Sequence, residues 1–103
     1  MPKRVRDYEE DLVEKLRDIE FAAEYLNASL EDSGEGAEER FLMALRQVAK
    51  AHGMTNVAEK SGMARQAMYR ALSETGNPEL STLKSLLDAM GLKLAVEQKP
   101  RAS

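Results

Sequence analysis

The chain has 103 residues, a net charge of −3, 5% aromatic side chains and no cysteine, which bounds it to one small domain plus an appendage with a core of Leu, Met, Ala and Val. Without cysteine there is no disulfide frame and no thiolate metal site, and no apolar run approaches the ~20 residues of a membrane span. Residues 1–11 lack the apolar stretch of a signal peptide, so a soluble, cytoplasmic protein with no membrane partner is expected.

Residues 10–16 are predicted as a short helix with Leu12, Val13 and Leu16 on one side. Asp18 is the expected N-cap of a second helix over 19–30, where Ile19, Ala22, Ala23, Leu26 and Leu30 follow the helical period. Residues 31–36 then break the pattern with two glycines in a polar setting. A third helix over 37–51 turns Phe41, Leu42, Leu45, Val48 and Ala49 inward, and Gly53 is expected to end it in a left-handed conformation. Thr55 is expected to cap a short helix over 56–61, and a further helix follows over 65–73. After a loop over 74–78, the helix over 81–90 places Leu83, Leu86, Leu87 and Met90 inward, and Gly91 stops it. Residues 92–97 are the one stretch with strict alternation, and they read as a β-strand.

The stretch TNVAEKSGMARQAMYRAL, residues 55–72, has the order helix, glycine turn, helix. Val57, Ala58, Met63, Met68 and Ala71 would seat both helices on one core, with Ala58 small where they approach. Gly62 supplies a positive φ at little cost. Arg65, Gln66, Tyr69 and Arg70 fall on the opposite face, and these are side chains that bond base edges and phosphates from a helix lying in a major groove. Thr55 and Asn56, opening the preceding helix, are the expected phosphate contacts through their backbone N–H groups. A helical hairpin with a solvated polar face is the alternative.

Charge divides unevenly along the chain. Residues 1–36 carry five basic against eleven acidic side chains, and residues 37–103 carry ten against seven. Such asymmetry points to two surfaces with different partners. Catalysis has no footing: His52 is the sole histidine and lies beside a helix-ending glycine, and no nucleophile elbow, phosphate loop or metal-ligand cluster is present. No cofactor, metal or catalytic residue is expected.

Residues 8–97, and above all EFAAEYLNASLED (20–32) and MARQAMYRALSETGNPELSTL (63–83), resemble the probable addiction-module antidote proteins. These are HigA-like antitoxins of the lambda-repressor-like helix-turn-helix class. The resemblance implies an all-α fold, a helix-turn-helix bundle with an N-terminal helical arm and one C-terminal β-strand. It divides the chain into a toxin-binding arm (1–36), a DNA-binding domain with a dimerisation strand (37–97) and a tail (98–103). It implies autorepression at a palindromic operator and neutralisation of a RelE/HigB-like mRNA-cleaving toxin; a phage-type repressor without a toxin partner is the alternative. Two residues depart from the family pattern. Ile19 stands where relatives carry proline, so the first two helices could fuse, and Ala64 stands where serine or threonine usually caps the recognition helix.

Tyr8, Leu12, Leu16, Phe21, Tyr25, Leu26 and Leu30 give the arm more apolar bulk than two short helices can bury between them; Leu12, Leu16, Phe21, Tyr25 and Leu26 are the expected toxin-binding residues, with Glu14, Asp18, Glu20 and Glu24 meeting a basic surface. Packing on the helix over 37–51 is the alternative use for them. Leu92, Leu94 and Val96 share one face of the expected strand and form the expected interface of a homodimer, with a tail folded on its own domain as the other reading.

Overall fold

Asp18 opens the second helix, and Gly36, Gly53 and Gly62 bound the third and fourth. The structure, a computed structural model, describes residues 5–100, so the last three residues of the expected 98–103 tail lie outside it. Six helices follow in order: α1 (Val5–Lys15), α2 (Ile19–Leu30), α3 (Ala37–His52), α4 (Met54–Ser61), α5 (Arg65–Ala71) and α6 (Leu80–Ala89). No helix among the described residues is long and apolar enough to cross a membrane.

Helix α1 starts five residues before the expected position, in a charged stretch without an apolar period to announce it. It does not fuse with α2. The Asp18 amide donates to the Lys15 carbonyl at 3.1 Å, and the Asp18 carboxylate accepts the Glu20 amide at 3.0 Å, the expected N-cap. The loop to α3 is tied by Asp32, whose carboxylate accepts from the Gly34 amide at 3.0 Å and from the Arg40 guanidinium. The Arg40 hydrogen bond, seconded by that amide, holds the Asp32 carboxyl below the usual carboxylate range. A depressed carboxyl pKa stabilises the fold above the ordinary value and loses that contribution as pH falls through the depressed one. Both groups are exposed, so the contribution is small.

Gly53 sits between two helices and caps both. At φ 89° and ψ 114° it ends α3 and opens α4 without a side-chain cap, with a positive φ but outside the left-handed helical conformation expected of it. Thr55 is therefore not a cap but a residue of the first turn of α4, because a one-residue connection leaves no position outside the helix for it. Gly62 at φ 74° ends α4, with its amide donating to the Glu59 carbonyl at 3.2 Å and the Met63 amide to the Ala58 carbonyl at 3.1 Å.

The expected C-terminal strand is absent among the described residues. Residues 92–100 form neither helix nor ladder, because a strand needs a hydrogen-bonded neighbour and the described chain has no second extended segment to supply one.

Helix α3 is the centre of the molecule. Leu42, Ala44, Leu45, Val48 and Ala49 are all buried, a wide arc that is covered by α1 and α2 on one side and α4 on the other. A single cluster unites Leu16, Ala22 and Leu26 with Leu45, Val57, Met68, Leu72, Leu86 and Met90. Each such large side chain contributes about 1.5–3 kcal/mol by leaving water. The N-terminal helices thus share one core with α3 to α6, and the polar 31–36 stretch is an exposed turn between helices of that core.

Two glycines separate strain from crowding. At Gly62 an added methyl meets nothing within 4 Å, whereas at Gly76 it would lie 2.2 Å from the Ala71 carbonyl oxygen, in the backbone end of α5. Gly62→Ala should cost about 1 kcal/mol through its positive φ alone. Gly76→Ala should cost more, about 1–3 kcal/mol, because the backbone at the end of α5 has to move. Urea unfolding of both variants checks the order; equal losses would show that the loop after α5 yields freely.

Candidate nucleic-acid interface

Helices α4 and α5 are short, eight and seven residues, and neither would persist in water without packing. Val57, Ala58, Met68 and Leu72, all buried, anchor the pair to α3 and α6. The Gly62 turn then fixes how α5 leaves α4. A further brace comes from α3: Arg46 donates through Nε to the Leu72 carbonyl at 2.8 Å, closing the C-terminal end of α5. This contact was not legible in the sequence, because its partners lie 26 residues apart and neither belongs to a motif.

With Met68 turned inward, Arg65, Gln66, Tyr69 and Arg70 are all exposed along the outer side of α5. They are the four residues expected to read DNA, and the structure brings them to one face. Arg65 and Tyr69, one turn apart, are coupled: the guanidinium lies 5.6 Å from the ring centroid and donates through Nη2 to the phenol oxygen at 3.2 Å. Ala64 precedes α5 with extended backbone and no side-chain cap, so the N-terminal amides of the helix are not claimed by a side chain. Thr55 and Asn56 are exposed in the first turn of α4. Asn56 turns its amide back to the His52 carbonyl at 3.4 Å, while the Gly53 cap leaves the first amides of α4 without a side-chain acceptor.

The five apolar residues expected to meet a toxin do not form a free face. Leu16 and Leu26 are buried in the core, and Leu12, Phe21 and Tyr25 pack against it half-buried. Their use is internal: α1 and α2 lie on α3, which has the surface to cover them. Tyr25 also donates its hydroxyl to Gln47 of α3 at 2.6 Å, and burial, seconded by Tyr8, pushes its phenol pKa up. What these helices present outward includes Tyr8, 67% exposed, Ile19 and Leu30, together with Glu10, Glu14, Glu20 and Glu24. Of the expected dimer residues, Leu92 packs half-buried on the core while Leu94 and Val96 are exposed.

Residues 7–98 match the model of a family described as probable addiction module antidote protein. An uncharacterized protein of Haemophilus influenzae is 34% identical over 98 residues, covering 95% of this chain and 96% of its own length. No solved structure matches the chain.

Proposed function

The chain belongs to the family of probable addiction module antidote proteins, and from that premise we propose that it is an antitoxin that represses its own operon and silences a RelE/HigB-like toxin. Membership supports the antitoxin role in a toxin–antitoxin pair. The DNA-binding part of the reading rests on one observation: a glycine-linked helix pair whose second helix exposes Arg65, Gln66, Tyr69 and Arg70 together.

Arg65 and Gln66, at the start of α5, would reach base edges, guanine O6/N7 for arginine and adenine N6/N7 for glutamine. Arg70, one turn on, would take a base or a phosphate, and Tyr69 a phosphate through its hydroxyl. The uncapped amides at Thr55 and Asn56 would bind phosphate, aided by the helix dipole. A homodimer contacting itself through the C-terminal segment around Leu94 and Val96 would set two α5 helices on a palindromic operator, ~34–36 Å apart.

The toxin is assigned to the opposite charge pole, the outer side of α1 and α2, where Glu10, Glu14, Glu20 and Glu24 would complement a basic RNA-binding surface. The test is co-expression with the toxin encoded beside this gene. A Glu10→Lys, Glu14→Lys variant should lose most of its protection of cells while still shifting the gene's upstream DNA. Undiminished protection would move the toxin contact off this face.

A further inference from the structure

Beyond Gly91 the chain carries an apolar face and a backbone edge that it does not use itself. Leu92 packs on the core, and residues 93–100 are exposed, Leu94 at 38% and Val96 at 99%. A fully exposed valine within a segment that forms no helix and no ladder among the described residues leaves both its side chain and its main-chain N–H and C=O groups open to a neighbour. What that neighbour should be follows from the side-chain order Leu92-Lys-Leu-Ala-Val-Glu97.

We propose that two copies of this chain pair antiparallel along residues 92–98 with Ala95 on the twofold axis. Leu94 then lies opposite Val96 of the partner subunit, and Lys93 lies opposite Glu97 of the partner subunit. This deepens the dimer reading above and rests on it. Facing residues of an antiparallel pair share one side of the ribbon, so the pairing must match like with like on both sides. A slip of one residue sets lysine against valine and leucine against glutamate. A slip of two in one direction keeps the apolar pairs but leaves Lys93 opposite alanine; in the other it sets Lys93 against Lys99 of the partner subunit. The register centred on Ala95 pairs leucine with valine and lysine with glutamate at once, and leaves Leu92, which packs on its own core, opposite Gln98 of the partner subunit. Pro100, which lacks the N–H a ladder needs, falls beyond the last pair.

An isolated two-stranded ribbon is marginal in water, so apolar surface beneath it is needed. The protein supplies it: a groove of about 170 Å³ lies between this segment, Lys93 and Glu97 included, and Leu26 and Leu30 of α2, Phe41 of α3 and Leu87 of α6. Leu30 is 55% exposed there. The exposed ion pairs add little stability; their effect is to choose the register.

Sedimentation equilibrium of the full chain tests the pairing through charge exchange. Lys93→Glu places glutamate opposite glutamate twice per dimer, and Glu97→Lys places lysine opposite lysine twice, so each variant should dimerise roughly tenfold more weakly than the parent. An equimolar mixture of the two restores both opposite-charge pairs and should form a heterodimer at the parent affinity, as should the homodimer of the double exchange. Single variants that dimerise normally, or a mixture that gains nothing, would overturn this register. A parent chain that stays monomeric would overturn the dimer reading itself, and the two failures are thereby distinct. Both positions are exposed, so circular dichroism should show unchanged helicity throughout.

Discussion

Leu16→Ala is expected to lower the melting temperature by roughly 10–30 °C. Leu16 sits in the turn between α1 and α2, is 0% exposed, and belongs to the same cluster as Leu45 of α3 and Leu86 of α6. Truncating a fully buried leucine typically costs about 2–5 kcal/mol, and each kcal/mol shifts the midpoint of a domain of ~100 residues by about 4–8 °C. The effect discriminates between two architectures. If the N-terminal helices were a detachable arm, their loss of packing would leave α3 to α6 at their original stability. In the single core described here, Leu16→Ala should weaken everything together, and the transition followed by circular dichroism should stay cooperative. A shift of less than ~2 °C would show that α1 and α2 are energetically separate.

The second large effect is on recognition. Arg65→Ala should cost about 1–3 kcal/mol of operator binding, roughly 5–150-fold, and relax the preference at one base pair per half-site. Its melting temperature should scarcely change, because Arg65 is exposed and makes no contact with the core. Fluorescence anisotropy on the operator and on random DNA separates the roles. An equal loss on both would demote Arg65 to a phosphate contact, and no loss on either would remove α5 from the interface.

Much of the fold was legible because periodicity is local. The second helix emerged with both bounds and its Asp18 cap, since a capping carboxylate four residues before a run of Ala and Leu is a signal contained in five positions. Gly62 and Gly91 likewise announced themselves, each with the positive φ that glycine alone takes cheaply. What escaped is what depends on partners distant in sequence. Leu16 and Leu26 show an apolar stripe whatever covers it, so the sequence left open whether α3 or another protein does the covering, and the structure places α3 there. Alternation over Leu92–Glu97 shows which residues would share a side, but a strand exists only with a neighbour, and the described residues hold none for it. Thr55 failed as a cap because the spacing between α3 and α4 is a single glycine, a fact about chain geometry rather than residue preference. The outward set Arg65, Gln66, Tyr69 and Arg70 was readable because the inward position of Met68 fixes the rotation of the whole helix.

The most direct measurement is titration of the purified protein onto the DNA upstream of its own gene, in the presence of excess random competitor and across a salt series. The expected result is a saturable complex that survives competitor, protects two half-sites one helical turn apart, and weakens with salt in proportion to the phosphates contacted. A protein that binds the upstream DNA no better than random DNA at any salt concentration would contradict the assignment of α5 as a recognition helix.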